Sequence, residues 1–251
     1  FDINGNINDF FQEREVGKNL NGNFEIDPVV WWKALTKILN KIPGDKKNRI
    51  KAMSIIGQGP TIITMKKNGN ISCNAITWLD SRGAEYQTKL INQGVDPQIA
   101  SVISRLKYIK KDMGSENYLV QPADYIAYRL TGRIVNMSFK EFGYLPWNKE
   151  IIEKVGLHRN FIVPELVQTS RTVGNILKDV ATELELPENL KIVSGSPDFA
   201  AGLVGTGTVK PGYLCDRGGT SQGVTLCSEY KKNIKGLITT PYFLKDLWKI
   251  S

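Results

Sequence analysis

The sequence has few of the residues that build metal sites and disulfide frameworks. It contains one histidine, His158, and three cysteines, Cys73, Cys215 and Cys227, at scattered spacing. This pattern matches neither a disulfide framework nor a zinc site, and one histidine cannot complete a metal site with these cysteines. We therefore assign no metal ligands and expect a reduced, cytoplasmic protein.

Long apolar runs are also missing. No stretch of about 18 apolar residues occurs, so we expect no membrane-spanning helix and no membrane partner. Residues 1–5 are strand-like and lack a basic leader, which predicts that there is no signal peptide. Hydrophobic residues make up 41% of the 251 residues, a normal share for a globular protein, so the chain can bury a core.

The excess positive charge is dispersed along the chain. Thirty-three lysines and arginines against 25 acidic residues give a formal net charge of +8. No lysine run exceeds two residues, and nucleic-acid sites usually cluster basic side chains and interleave them with aromatic ones. We therefore interpret the lysines as solvated faces and expect no nucleic-acid partner. Their charge favours at most a mild attraction of anionic nucleotide.

The most informative stretch is G-S-P-D-F-A-A-G, at residues 195–202. A short apolar run before it predicts a buried strand. Ser196 is then suited to cap a helix, and Pro197 suits the first helical position. Asp198 would lie in the first turn, at the carboxyl end of a strand, where open α/β sheets bind ligands. The helix dipole alone also favours an aspartate there, and this remains the alternative explanation.

A second stretch, G-G-T-S at residues 218–221, follows another apolar run. Its glycines allow a tight turn with outward N–H groups, and Thr220 and Ser221 add hydroxyls. An ordinary hairpin turn would have a similar composition. Together, a carboxylate base and a phosphate-binding turn suggest phosphoryl transfer to a hydroxyl group.

The region 195–221 resembles the central signature of the FGGY carbohydrate kinases, especially their xylulokinase-like branch. Members carry G-x-x-D-x-x-A-G, then G-x-G-x-x-x-P-G, then G-T-S or G-T-G, and the corresponding segments here are 195–202, 205–212 and 219–221. The resemblance implies that Asp198 is the catalytic base. It also implies that Thr220, with Gly219 and Ser221, contacts nucleotide phosphate.

The same resemblance implies sugar contacts in an earlier segment. The family has G-Q-x-x-G after a strand, and its middle residues touch the sugar. Gln58 matches this segment, whereas Gly59 and Pro60 replace the Met-His pair of typical xylulokinases. We assign all three to substrate binding, with a plain Gly-Pro turn as the alternative.

Residues 78–82 resemble the family's W-x-D-x-R segment. A strand through 75–82 would place Asp80 and Arg82 on one face, because residues two apart on a strand point the same way. The pair would either hydrogen-bond sugar hydroxyls or brace each other. Phe199, next to Asp198, is assigned to substrate binding with them.

Local signals place the secondary structure around these segments. Asn4 and Gly5 predict a turn after the tail of a strand, and Asp27 and Pro28 predict a helix start. A hairpin is predicted from 62–65 and residue 71 onward, around a turn at 67–70. Further helices are predicted at 83–93, 97–113, 121–131, 148–155 and 178–186, and further strands at 50–56, 190–194, 223–227 and 247–251.

The resemblance covers nearly the whole chain and implies an α/β fold. This is the ribonuclease H-like mixed sheet flanked by helices that is found in actin, hexokinase and Hsp70. Residues 1–251 are expected to form the N-terminal substrate-binding domain, truncated at the front and without the C-terminal nucleotide domain. The chain alone is therefore expected to be inactive.

The implied activity is phosphorylation of a sugar or polyol hydroxyl, with ATP and Mg²⁺ as cofactors. A xylulose-like ketose is the favoured substrate. A kinase for another polyol, such as glycerol or gluconate, is the first alternative, and a catalytically idle sugar-binding module of the same fold is the second. The expected partner is a small-molecule sugar or polyol, and a homodimer is left open.

Overall fold

Helices and strands alternate along most of the chain. A computed structural model describes residues 2, 4–15, 17–20, 23–139, 145–218 and 223–251. The helices in these ranges are α1 Val29–Asn40, α2 Gly44–Lys47, α3 Ala84–Asn92, α4 Pro97–Ile109, α5 Pro122–Thr131, α6 Lys149–Lys154, α7 Lys178–Leu184 and α8 Asp198–Gly205. A 3₁₀ turn at Lys110–Asp112 extends α4.

The strands in the same ranges are β1 Lys18–Leu20, β2 Asn23–Ile26, β3 Ala52–Gly57, β4 Ile63–Met65, β5 Ala75–Ile76, β6 Asn117–Val120, β7 Val135–Ser138, β8 Phe161–Ile162, β9 Glu165–Gln168, β10 Thr172–Asn175, β11 Lys191–Pro197, β12 Leu214–Arg217, β13 Gly223–Ser228, β14 Thr239–Pro241 and β15 Trp248–Ile250. The strands predicted at 50–56, 190–194, 223–227 and 247–251 are confirmed to within a few residues. Strands β6 to β10, which lie between α4 and α7, carry no clear alternation and were not predicted.

Capping residues explain where the longer helices begin and end. The Asp96 side chain accepts hydrogen bonds from the backbone N–H of Gln98 and Ile99, at 2.9 and 3.1 Å, and thereby starts α4. Helix α5 begins with a capping box and ends at Gly132, whose φ of 71° is the left-handed conformation that glycine favours. The predicted helix positions are confirmed, and the one-turn helix α2 was missed.

The strands form small mixed sheets. In the sheet that matters most for the site, the order is β10-β11-β3, with β11 antiparallel to β10 and parallel to β3. The remaining sheets among the described residues have the orders β1-β2-β5, β4-β6-β8, β7-β9 and β12-β13-β15-β14. The predicted hairpin is confirmed, since Met65 pairs with Ile71 across the turn.

The largest apolar cluster fixes the sheet β10-β11-β3 against helices. It contains Ile55 of β3 and Ile192 of β11, together with Tyr125 and Leu130 of α5, all of them buried. Helices α1 and α7 contribute further buried side chains to this cluster. Ile55 and Ile192 face this cluster, whereas Ala52, Ser54 and Ile56 of β3 lie on the exposed side of the strand.

Two local predictions are wrong. Strand β5 ends at Ile76, and Asp80 and Arg82 lie in the turn that follows, where the N–H of Asp80 donates to the carbonyl oxygen of Thr77. Ser196 does not cap α8, because β11 continues as far as Pro197 and the Ser196 hydroxyl donates to the carbonyl oxygen of Pro197. Pairing with β3 extends the strand beyond the point that local capping signals predict.

Candidate active site

The candidate site is centred on the edge where β3 and β11 end together. Pro197, the last residue of β11, pairs with Gly57, the last residue of β3. Asp198 therefore follows one strand directly and Gln58 follows the other. Since parallel strands bring their carboxyl ends to the same edge, the fold gathers two of the predicted site residues there.

Asp198 is the first residue of α8 and is exposed. One of its carboxylate oxygens, Oδ1, accepts a hydrogen bond of 2.7 Å from the backbone N–H of Phe199. The other oxygen accepts no hydrogen bond from the residues that the structure describes. The carboxylate is thus held at the helix start, with one oxygen available to a ligand.

A small cavity lies behind this edge. Its lining includes Gln58, Gly195, Asp124 and Ser138, and its volume is about 20 Å³. The hydroxyl of Ser138 is buried and has no hydrogen-bond partner among the described residues. Since a water molecule needs a polar cavity of about 10–15 Å³, this one has room for about one water and is too small for a sugar.

Asp124 is a buried acidic residue that lines this cavity. Its Oδ2 accepts from the N–H of Gln121 at 2.7 Å, and its Oδ1 accepts from the N–H of Met137 at 2.8 Å. The carboxylate therefore joins the start of α5 to β7. Burial raises the pKa of Asp124 to about 7, although both hydrogen bonds act in the opposite direction. Sequence reasoning treated this helix as core and missed the role of Asp124.

The loop after β3 contains Gly59 and Pro60, joined by a cis peptide bond. The side chain of Arg105, in α4, hydrogen-bonds to the backbone of this loop. Its side chain is buried, and Nη1 donates to the carbonyl oxygen of Pro60 at 3.1 Å and to that of Thr77 at 2.7 Å. This guanidinium brings the segment containing Gln58 and the turn containing Asp80 to the same part of the molecule. A charged residue inside a helix gives no sequence signal for such a role.

Asp80 and Arg82 form an ion pair in which the carboxylate is buried and the guanidinium is partly buried. The Nη2 atom of Arg82 lies 2.8 Å from Oδ2 of Asp80, and Nε of Arg82 contacts both carboxylate oxygens. Oδ2 of Asp80 also accepts from the N–H of Phe24, while Nη1 of Arg82 donates to Glu25 at 2.7 Å. The pair thereby fastens its turn to β2, which matches the bracing alternative. Sugar binding by these two residues stays a prediction.

Phe199 packs against a further apolar cluster, which contains Ala200, Leu203 and buried residues of the region that includes the sheet β12-β13-β15-β14. Its contact with substrate stays a prediction.

Gly219, Thr220 and Ser221 lie outside the described residues, so their phosphate contacts also stay a prediction. The strands on either side are described: β12 ends at Arg217, which pairs with Gly223 at the start of β13.

Two general properties of the described residues bear on cofactors and location. Within the described ranges, no three histidine, cysteine, aspartate or glutamate side chains are grouped closely enough to hold a metal ion. None of the helices described is both long enough and apolar enough to cross a membrane. The three cysteines are free thiols.

A parallel strand pair that ends beside a helix start is typical of α/β proteins, a class that usually binds ligands at this edge of the sheet. Comparison with known proteins shows which family within this class the chain resembles. The model of the N-terminal domain of the FGGY family of carbohydrate kinases matches residues 7–111. Xylulose kinase of Haemophilus influenzae is 24% identical over 242 residues, which cover 84% of this chain and 49% of that protein.

Solved structures agree with this match at the level of the fold. Xylulose kinase from Rhodospirillum rubrum superimposes with a TM-score of 0.75 at 18% identity, covering 94% of this chain and 54% of the other. Glycerol kinase from Plasmodium falciparum, solved with ADP, superimposes with a TM-score of 0.71 at 17% identity, covering 94% and 54%. The chain spans about half the length of these relatives. The resemblance to FGGY carbohydrate kinases and the predicted α/β fold are confirmed.

Proposed function

We propose that this chain is the substrate-binding domain of an ATP-dependent carbohydrate kinase of the FGGY family. The observation that carries the proposal is the position of Asp198, which stands exposed at the start of α8, where β3 and β11 end together. Helix α8 and the strand pair fix the backbone of this residue, and one carboxylate oxygen faces no donor among the described residues. This is the arrangement that a general base requires.

In the proposed reaction, Asp198 accepts the proton of a sugar hydroxyl as the oxygen attacks the γ-phosphate of ATP. Phosphoryl transfer needs little covalent chemistry from the protein, so positioning and charge stabilisation account for most of the catalysis. Asp198 serves both needs, because it orients the hydroxyl and removes its proton. It is also the sole acidic residue between Leu190 and Tyr213.

The nucleotide phosphates are assigned to the loop between β12 and β13, through Gly219, Thr220 and Ser221. The donor set fits Mg²⁺ that arrives with the nucleotide. Magnesium usually takes one or two carboxylates together with phosphate oxygens and waters, and needs no cluster of protein ligands. Asp198, exposed at the start of α8, is the carboxylate that this proposal places beside the phosphates. When bound, the metal would neutralise charge on the phosphates.

The sugar is assigned to the segment after β3 and to the turn beside it. Gln58, Gly59 and Pro60 follow the strand end directly, whereas Asp80 and Arg82 would act mainly by holding the turn in place. Phe199 would border the site next to Asp198. A xylulose-like ketose is the favoured substrate, because relatives named xylulose kinase match most of the chain.

Two alternatives have specific support. A kinase for glycerol or gluconate fits the fold equally well, since structures named glycerol kinase and gluconate kinase superimpose on the chain. An idle sugar-binding module would fit the well-braced Asp80–Arg82 turn, but it would not need an exposed carboxylate at the sheet edge.

The proposal also includes a cytoplasmic location, which the three free thiols support. A homodimer is left open.

The test is an assay of ADP release by the protein at its full gene-encoded length, with Mg-ATP and a panel of sugars and polyols. The panel contains xylulose, ribulose, glycerol and gluconate, and a reaction without acceptor gives the background. Acceptor-dependent ADP release with one of these compounds supports a kinase and identifies its substrate. Binding of a sugar without ADP release would instead support the idle module and contradict the proposed activity.

A further inference from the structure

One face of α4 lies against both segments that are assigned to the sugar. These segments are the loop of residues 58–60 and the turn of residues 77–83. Ser104, Arg105 and Tyr108 share this face, because residues three and four apart along a helix are neighbours. All three approach the turn, and Arg105 also contacts the loop.

Arg105 connects the loop to the turn through a single nitrogen atom. Its Nη1 donates to the carbonyl oxygen of Pro60 at 3.1 Å and to that of Thr77 at 2.7 Å. Because one atom makes both hydrogen bonds, the position of the guanidinium determines how far apart the two carbonyl groups lie. Nε donates to the carbonyl oxygen of Ser101, one turn earlier in α4, at 3.1 Å. The positions of the loop and of the turn therefore both depend on α4.

The neighbouring hydroxyl groups do not make this connection. Thr61 and Thr77 flank the bridge between Ile62 and Ile76, where the backbones of the two segments pair at 2.9 Å. The hydroxyl oxygens of both threonines are buried and have no hydrogen-bond partner among the described residues. Beyond the bridge, the guanidinium of Arg105 donates hydrogen bonds to both segments.

The other end of the turn lies against the same helix face. A Cβ atom on Gly83 would stand 2.7 Å from the carbonyl oxygen of Ser104, and the φ of Gly83 is 82°. The guanidinium carbon of Arg82 lies 5.5 Å from the centroid of the Tyr108 ring, which is within the range of a cation–π contact. Helix α4 thus contacts both ends of the turn that contains Asp80.

We propose that Arg105 is a positioning residue for the sugar or polyol acceptor, and that it sets the spacing between the loop and the turn. This inference rests on the proposed function for its catalytic meaning. The Arg105 side chain is 1% exposed, so it acts through the two segments and not by contact with the acceptor. A misplacement of about 1 Å in a binding segment can cost about a hundredfold in rate. Since neither segment is assigned to nucleotide, the effect is confined to the acceptor.

Kinetics of the full-length protein test this role. Arg105→Met removes the donors and keeps an unbranched side chain. It is expected to raise the KM for the acceptor about tenfold, to lower kcat by less, and to leave the KM for ATP nearly unchanged. Lys47→Met is the matched control, because Lys47 is also buried and its Nζ donates to the carbonyl oxygen of Leu184 at 3.1 Å. It should also lower stability, but it should leave both KM values unchanged.

Arg105→Lys keeps the test valid if Arg105→Met fails to fold. Lysine keeps the charge and some donors but lacks the planar fork of the guanidinium. Its KM for the acceptor should lie between those of the wild type and Arg105→Met. An acceptor KM that stays unchanged in every folded Arg105 variant, or that rises equally in Lys47→Met, would overturn the proposal.

Gly83→Ala tests the support of the turn from its other end. The methyl group would push the turn away from Ser104, so this variant should also raise the KM for the acceptor. Gly94→Ala is the control for backbone strain, because Gly94 has a φ of 81° and a Cβ atom there meets nothing within 4 Å. It should leave that KM unchanged. Equal acceptor KM values for the two alanine variants would contradict the role of α4.

Hydrogen exchange followed by mass spectrometry tests the positioning without any substrate. The amides of the loop and the turn should exchange about tenfold faster in Arg105→Lys than in the wild type, whereas Lys47→Met should not change them. Equal exchange in Arg105→Lys and the wild type would overturn the positioning role, whether or not the protein is a kinase.

Combining the measurements separates this inference from the proposed function. ADP release with an unchanged acceptor KM in the Arg105 variants would overturn the inference and leave the kinase activity standing. Calorimetric titration of xylulose, glycerol and gluconate into the full-length protein shows binding independently of ADP release. Faster exchange in Arg105→Lys, with acceptor binding that weakens in this variant but no ADP release by the wild type, would support the inference and contradict the proposed function.

Discussion

Gly195 lies so close to Ile55 that a Cβ atom at residue 195 would stand 2.1 Å from the carbonyl oxygen of Ile55. The two residues belong to the parallel strands β11 and β3, whose register shifts between Ser194 and Pro197. A side chain there would force the strands apart, just before the edge that carries Asp198. The first glycine of the kinase-like signature therefore has a packing reason, independent of any ligand.

We predict that Gly195→Ala destabilises the protein by about 3 kcal/mol, because backbone atoms must move to admit the methyl group. Gly205→Ala is the control, since a Cβ atom at the end of α8 meets nothing within 4 Å. It should leave stability unchanged or raise it slightly. Urea unfolding followed by circular dichroism measures both, and equal midpoints for the two variants would contradict the packing argument.

Asp198→Asn should lower kcat of the full-length protein by about two to four orders of magnitude, because an amide cannot accept the proton of the sugar hydroxyl. Sugar binding should weaken only modestly. Asp179→Asn is the matched control, because Asp179 is also exposed in the first turn of a helix, α7. It should keep full activity. An Asp198→Asn protein that folds and retains more than about a tenth of kcat would show that this aspartate is merely a first-turn residue.

Asp124 should make stability depend on pH. Its pKa is raised to about 7 in the folded state, so the folded protein holds this proton more tightly than the unfolded chain. The stability that Asp124 contributes is therefore greatest near pH 4 and is lost as the pH rises to about 7. The unfolding free energy of the wild type minus that of Asp124→Asn should fall by about 2 kcal/mol between about pH 5 and 7.5.

Subtracting the variant removes the contribution of all other titrating groups. Urea midpoints and slopes at each pH give the two free energies. A difference that stays constant, or increases with pH, would show that the two backbone hydrogen bonds keep Asp124 ionised throughout.

Arg82→Met should cost about 3 kcal/mol of stability, because the buried carboxylate of Asp80 loses its cation. The matched control is Lys149→Met, which breaks an exposed pair with Glu153 on α6 and should cost less than about 0.5 kcal/mol. Thermal melting compares the two. If Arg82→Met melts like the control but raises the KM for sugar, the arginine binds substrate and the bracing interpretation is wrong.

Sequence reasoning succeeded where a signal is local. Capping residues and prolines place the start of α4, and glycine in the left-handed conformation marks the end of α5. The apolar residues of β3 and β11 identify the two strands, and Ile55 and Ile192 pack in the largest apolar cluster. The ordered motifs from residue 195 onward predicted the FGGY resemblance and the fold class, and the first of them spans the end of β11 and the start of α8.

The sequence by itself determined the family resemblance, the main elements and the place of Asp198 after a strand. Only the tertiary structure decided that β11 runs on to Pro197, that Asp80 and Arg82 lie in a turn, and which side chains surround the edge. Arg105 and Asp124 each hydrogen-bond to another element of the fold, so no local pattern predicts their roles. Their contacts depend on strand register and helix packing, which fix positions across the fold that short-range propensities cannot encode.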